Sequence, residues 1–184
     1  MKKLHTLIIL GAALPLATAS AAVQKGMREI GFSGSYQNHN VDIDLGSDTD
    51  ISVDGDGDSL SLTGSFGYFF TDAWEATIFG TYVQQDFGDG NTDSLFTGVA
   101  VDYHFRTETD FVPYIGIGGS YGSIDVGDLG EEVGDITEDD FVVQARIGIK
   151  QFITENIAVR YQIDWNQGDN TESLGASFGL ATYF

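Results

Sequence analysis

Eight ionisable side chains lie within stretches of sequence that otherwise alternate apolar residues with small or polar ones. They are four carboxylates, three bases and one imidazole: Glu29, Glu75, Asp102, His104, Arg146, Lys150, Arg160 and Asp164. Nearly balanced charges suit an enclosed polar interior, because an unpaired buried charge is costly. Such a set could form a structural network of ion pairs, or a gate whose pairs rearrange to pass ions.

The stretches that carry these residues have a two-residue period, which is typical of β-strands with two different faces. The period is regular at 95–105, 141–150, 157–166 and 174–184, and less regular at 28–37, 59–70, 74–84 and 112–122. The eight ionisable residues share the face opposite the apolar one. The pattern therefore predicts eight strands.

The connections between these strands alternate in length. Short turns are predicted at 71–73, 106–110 and 151–156, and long loops at about 38–58, 85–94, 123–140 and 167–173. The long loops contain seven, three, eight and two acids in turn, and no Lys or Arg. This alternation predicts an all-β fold, an eight-stranded antiparallel up-and-down β-barrel.

Aromatic residues on the apolar face help to decide which face points outward. A soluble barrel encloses its apolar face, whereas a membrane barrel turns that face to lipid. The aromatics collect near both strand ends, with Tyr36, Tyr82, Tyr121 and Trp165 at one end and Phe70, Trp74, Tyr103, Phe105 and Phe184 at the other. Two girdles around an aliphatic band favour a transmembrane barrel with a polar lumen.

Composition and the N-terminal residues set further bounds. The 184 residues carry a formal net charge of −20, which argues against a nucleic-acid partner, and they include no Cys for a disulfide or a thiolate metal site. Mean hydropathy is −0.05, which by itself gives no sign of a membrane protein. Lys2 and Lys3, an apolar run at 7–16 and small residues before Ala21 and Ala22 predict a cleaved signal peptide at 1–21 and a barrel domain at 22–184.

Several stretches resemble the small eight-stranded outer-membrane barrels of Gram-negative bacteria, the OmpA/OmpX/OmpW-like, porin-like group. They are GSFGYFFTDAW at 64–74, VPYIGIGGSY at 112–121, and a last strand that ends with Tyr183 and Phe184 after the alternating Phe178 and Leu180. In that family such an ending is the signature for membrane insertion. The resemblance implies the cell outer membrane, contact with outer-membrane lipid and lipopolysaccharide, and insertion by the barrel-assembly machinery. Because no periplasmic domain follows the last strand, a cell-wall tether is not expected.

Catalytic and metal chemistry have weaker support. His104 lies close to Asp102, but a lipid-modifying enzyme needs His, an acid and Ser where lipid can reach, and His104 is on the inward face. We therefore assign no catalytic residue and expect no enzyme. Asp54, Asp56 and Asp58 begin like a calcium loop, yet the Gly and Glu that an EF-hand requires are missing. No specific metal site or cofactor is predicted. Loose binding of Ca²⁺ or Mg²⁺ by the acidic loops is an alternative that the sequence leaves open.

These patterns predict a structural or surface-interaction role, which includes adhesion. A narrow channel for ions or small molecules is the alternative, and a lipid-modifying enzyme is a more distant one. Residues 41–53 also alternate, which predicts a hairpin above the membrane whose edge could pair with a partner strand.

Overall fold

Eight antiparallel strands form the protein in a computed structural model that describes residues 23–44, 52–87, 90–126, 136–168 and 172–184. The strands are β1 (Arg28–Asp44), β2 (Ser52–Phe69), β3 (Trp74–Phe87), β4 (Gly90–His104), β5 (Phe111–Val126), β6 (Ile136–Thr154), β7 (Ile157–Gln167) and β8 (Glu172–Tyr183). Each pairs with the next along the chain, and β1 pairs with β8 to close the barrel. The predicted fold is confirmed.

One end of the barrel, called here the short-turn end, holds the β2–β3, β4–β5 and β6–β7 turns and the ends of β1 and β8. The β6–β7 turn is tighter than predicted, because β6 continues to Thr154 and β7 begins at Ile157. The opposite end is called the long-loop end. Within the described residues, no helix is long and apolar enough to cross a membrane.

At the long-loop end the strands run past the bounds predicted for the long loops. β1 and β2 stay paired as far as Asp44 and Ser52, which agrees with the hairpin predicted from the alternation at 41–53. β3 and β4 pair to Phe87 and Gly90, and β5 and β6 to Val126 and Ile136, beyond the strands predicted for them. The boundaries were misjudged because the backbone ladder satisfies its own polar groups and does not require apolar side chains. A strand can therefore continue past the point where the aliphatic alternation ends.

The outer surface of the barrel is a belt of large apolar side chains. Among the most exposed are Ile117, Phe32 and Leu174, at 71%, 67% and 66%. An apolar surface of this extent marks a membrane-facing or binding surface. Of the predicted girdles, Tyr82, Tyr121, Trp165, Phe70, Trp74, Phe105 and Phe184 are exposed and Tyr103 is half-buried, while the side chain of Tyr36 lies outside the described part.

Candidate functional site: the charged lumen

The lumen is closed at the short-turn end by a cluster of apolar side chains, called here the plug. It consists of Val23, Phe69, Val112, Phe152, Ala158, Ala181 and Tyr183, with Met27 packed against it. Phe69, Val112 and Ala158 have no exposed surface. An eight-stranded barrel is only wide enough for its side chains to fill, and these packed residues fill this end of the described lumen.

The residues that precede β1 complete the plug. The amide of Val23 donates to Thr107 O at 3.0 Å, and the amide of Gly26 donates to Phe69 O at 2.8 Å. Gly26 has a φ of +91°, a conformation that glycine adopts readily and other residues avoid. This reversal turns Val23 inward beneath the barrel, where its side chain is 2% exposed.

Directly above the plug lies the Lys150 cluster, made of Lys150, Glu29, Glu75, Tyr183, His104 and Arg160. The Lys150 ammonium donates to Glu29 Oε2 at 2.5 Å and to Glu75 Oε2 at 2.7 Å. Tyr183 also donates to Glu29 Oε2, at 2.6 Å, and Arg160 Nη1 donates to Glu29 Oε1 at 3.4 Å. Residues from five strands are thereby joined, which ties the two ends of the chain to its middle.

Aromatic rings enclose this cluster. The Lys150 ammonium lies 5.3 Å, 5.4 Å and 5.8 Å from the ring centres of Phe69, Tyr114 and Tyr183, within the range of cation–π attraction. His104 stacks on Tyr114 and places Nε2 3.4 Å from Glu75 Oε2. With 1% of its surface exposed, the imidazole has no access to lipid.

A second group, the Arg146 cluster, lies on the adjoining wall and consists of Arg146, Asp102, Tyr114, Gln162 and Asp164. Arg146 binds Asp102 with both ends of its guanidinium, and the Nε–Oδ1 distance is 2.6 Å. Tyr114 donates to Gln162 Oε1 at 2.5 Å, and Gln162 Nε2 donates to Asp164 Oδ1 at 2.6 Å. The forked, charge-assisted pair of Arg146 and Asp102 is of a type that is among the stronger hydrogen bonds in proteins.

Glycines on the middle strands make these long-range bonds possible. Gly116 lies between Asp102 and Arg146 in the strand register, and Gly148 lies between Tyr114 and Gln162. A Cβ at Gly116 would overlap the Asp102 carboxylate, and one at Gly148 would lie 2.5 Å from Tyr114 Cζ. Side chains two strands apart therefore meet across a strand that presents only backbone.

All eight ionisable residues singled out from the sequence are buried in the lumen, between 1% and 8% exposed. Tyr114, Gln162, Phe69 and Val23 also belong to the site, although none of them was predicted as a site residue. The alternation of β7 already places Gln162 on the inward face, and that of β5 does the same for Tyr114. Val23 precedes any periodic stretch, so the sequence carries no signal for its place in the plug. At the strand end named as an insertion signature, Phe178, Leu180 and Phe184 face outward and Tyr183 faces inward.

Towards the long-loop end the described lumen residues are uncharged, and they include the rings of Phe79 and Phe96, which lie against the inward faces of Gly98 and Gly122. Ser35 and Ser61 share a hydrogen bond of 2.6 Å, and Thr63 and Thr81 share one of 2.9 Å. Gln144 Nε2 donates to Asn166 Oδ1 at 3.1 Å. We call the plug and the two charged clusters the short-turn half of the lumen, and these neutral pairs the long-loop half.

Most side chains of the acidic segments lie outside the described part of the chain, including those of Asp54, Asp56 and Asp58. Two acids are described there: Asp93 accepts a bond of 2.9 Å from the Tyr82 hydroxyl, and Glu172 accepts one of 3.1 Å from Trp165 Nε1. Among the described side chains, no group of three or more His, Cys, Asp or Glu is placed to hold a metal ion.

A closed barrel with an apolar exterior, aromatic girdles and a charged interior defines a transmembrane β-barrel. Residues 7–184 match the family described as Outer membrane protein beta-barrel domain, and the chain belongs to that family. Membership associates the protein with the outer membrane. The predicted resemblance is thus confirmed at the level of the family.

Solved structures with the same fold come from several bacteria. Neisserial surface protein A is 17% identical, with 87% of this chain and 98% of that chain covered and a TM-score of 0.67. The N-terminal barrel of Pseudomonas aeruginosa OprF is 18% identical (88% and 99% covered, TM-score 0.62), and Ail, the attachment invasion locus protein of Yersinia pestis, is 12% identical (87% and 99%, 0.59). At these identities the likeness shows the fold alone. Comparison with curated protein sequences returned no match.

Proposed function

We propose that this protein is a sealed outer-membrane barrel that acts as a rigid scaffold and presents its long-loop end for surface interaction. The observation that carries the proposal is the plug beneath the Lys150 cluster. Seven apolar residues close the short-turn end, and the charges directly above them are paired. A barrel built in this way is suited to structural work rather than to transport.

A narrow channel is the rival function, and it would require the paired charges to separate. Lys150 is bonded to two carboxylates and surrounded by three rings, so a side-chain rotation would leave at least one buried carboxylate unpaired. Breaking a buried pair costs roughly 3–5 kcal/mol. Such a state would be rare without an external trigger.

Planar-bilayer conductance of the refolded protein tests the seal. We expect no current steps from the unaltered barrel, and brief steps from Phe69→Ala, which removes a fully buried ring from the plug. Phe178→Ala is the matched control, because Phe178 faces lipid and is 55% exposed. Steady ohmic conductance from the unaltered barrel would establish the channel instead.

Surface interaction is supported by the extended hairpin of β1 and β2 and by the charge of the long-loop end. Ail, which has the same fold, was crystallised with the heparin analogue sucrose octasulfate, a polyanion. The predicted long loops of this chain contain 20 acids and no Lys or Arg. We infer that its partners are cationic, or bind through loosely held Ca²⁺ or Mg²⁺, since like charges repel.

A binding comparison on nanodisc-embedded protein tests this inference. Immobilised polylysine should retain the barrel in a salt-sensitive manner, and immobilised heparin should not. Deleting residues 41–53 removes four of the acids and should weaken the retention on polylysine. Equal binding to both polymers, or no effect of the deletion, would contradict an electrostatic role of this hairpin.

A further inference from the structure

The lipid-facing surface of the barrel is not uniform, because a groove crosses four of its strands. It has a volume of about 600 Å³ and is lined almost entirely by apolar atoms of β2, β3, β4 and β5. Among its lining residues are Tyr68, Ala76, Val101, Ile117 and Gly119. The lining includes the small residues Ala76 and Gly119 beside the larger Tyr68 and Ile117.

Strand register aligns the groove with one basic residue. Arg28 on β1 pairs with Tyr68, Tyr68 with Ala76, Ala76 with Val101, and Val101 with Ile117. These five residues form a single row on the lipid-facing side. Neighbouring strands are about 4.8 Å apart, so the row is roughly 19 Å long.

This row rises from the membrane boundary towards the middle of the bilayer. Arg28 is the first residue of β1, whereas Ile117 is six residues inside β5 from Phe111. One leaflet of a bilayer has an apolar depth of about 15 Å, half the hydrocarbon core. A chain lying along the row would therefore pass from the headgroup level to about the depth at which an acyl chain ends.

Arg28 provides a charge at the outer end of the groove. Its side chain is exposed and continues the alternation of the outward-facing Ile30 and Phe32. Within the described part of the chain, no ion pair involves its guanidinium. The other bases of the barrel are placed differently: Arg146, Lys150 and Arg160 are buried in the lumen, Lys25 precedes β1, and Arg106 lies in the β4–β5 turn.

The geometry points to a docking site for one phospholipid of the leaflet at the short-turn end. Its phosphate binds Arg28, and one of its acyl chains lies in the groove across β2–β5. Guanidinium groups suit phosphate because they donate several hydrogen bonds in a fixed plane. An apolar trough within the membrane, with a cation where the headgroups lie, matches the two chemical parts of such a lipid.

The two tryptophans of the chain allow a direct test. Trp74 and Tyr103 form the register pair next to Ala76 and Val101, so Trp74 adjoins the groove, whereas Trp165 pairs with Ala145 and Leu174 on another wall. Trp165→Phe leaves Trp74 as the single fluorescent reporter, and Trp74→Phe leaves Trp165. The refolded barrel in detergent micelles is titrated with phosphatidylglycerol brominated on its acyl chains, and quenching of each tryptophan is recorded. Heat-dependent migration on a gel verifies that every variant is folded.

We expect Trp74 to be quenched at about fivefold lower lipid fraction than Trp165, an effect of the size that one basic residue produces at an anionic lipid surface. Arg28→Gln should remove this preference and Arg28→Lys should retain most of it. Lys25→Gln removes an equal charge at the same end and should have no effect. Brominated diacylglycerol, which lacks the phosphate, should be insensitive to Arg28→Gln.

Filling the groove provides the second arm of the test. Ala76→Leu should abolish the preferential quenching of Trp74, while Ala176→Leu, the same change on the exposed face of β8, should leave it intact. The proposal would be overturned if both tryptophans of the unaltered barrel were quenched at the same lipid fraction. It would also be overturned if Ala76→Leu left the preferential quenching of Trp74 unchanged. A dimer in sedimentation that Ala76→Leu dissolves would assign the groove to a second copy of the chain and overturn it as well.

Discussion

The two halves of the lumen satisfy their polar side chains in different ways. In the short-turn half, full charges are paired above an apolar plug, as in the Lys150 bonds to Glu29 and Glu75. In the long-loop half, the described contacts are between neutral groups such as Ser35 with Ser61. Buried charges are held by a large penalty for separation, whereas neutral hydroxyl pairs exchange easily with water. The seal therefore belongs to the short-turn half, where breaking a contact should also cost more free energy than in the long-loop half.

Removing the central cation should have the largest effect. Lys150→Met leaves the buried Glu75 with only His104 beside it and Glu29 with only Arg160 and Tyr183. We expect the free energy of unfolding to fall by about 3–5 kcal/mol, because a buried ion pair loses its cation. Urea unfolding of the refolded barrel in micelles, followed by tryptophan fluorescence, measures this change. Adding Glu75→Gln to Lys150→Met should restore part of the loss. A loss below about 1 kcal/mol is the size expected for an exposed ion pair. Such a result would show that the Lys150 cluster contributes little to the stability of the fold.

The glycines under the cross-strand bonds should be next in magnitude. Gly148→Ala places a methyl group against the Tyr114 ring and should displace its bond to Gln162, with a loss of about 1–3 kcal/mol. Gly80→Ala is the matched control, because its Cβ would come no closer than 3.9 Å to another atom. The same unfolding assay compares the two variants. If Gly148→Ala were as stable as Gly80→Ala, the close approach of Tyr114 across Gly148 would not require glycine at that position.

A hydroxyl pair in the long-loop half should matter least. Thr81→Val removes the 2.9 Å bond to Thr63 while it keeps the shape of the side chain. We expect a loss of about 0.5–1 kcal/mol, in the lower range for a neutral hydrogen bond. A loss as large as that of Lys150→Met would remove the distinction between the two halves.

Much of this architecture could be predicted from the sequence because alternation reports which face a residue occupies. It correctly indicated eight strands, an apolar exterior and the inward placement of Glu29 and Lys150. It could not indicate that these two residues bond, since they are 121 residues apart and meet only through the register of several strands. The place of Val23 in the plug was not predicted because Val23 precedes every periodic stretch. The extensions of β3 with β4 and of β5 with β6 were not predicted because ladder pairing continues where apolar alternation stops.

Chemical labelling from the two sides of the membrane tests the seal most directly, and the absence of native Cys makes every signal specific. Single cysteines are introduced at Ser35 in the long-loop half and at Ala181 in the plug, and a small membrane-impermeant thiol reagent is added to barrels inserted in liposomes. We expect Ser35→Cys to react from the long-loop side, whereas Ala181→Cys should react only after unfolding in urea. Rapid labelling of Ala181→Cys from the long-loop side would show an open path through the lumen and would contradict a sealed barrel.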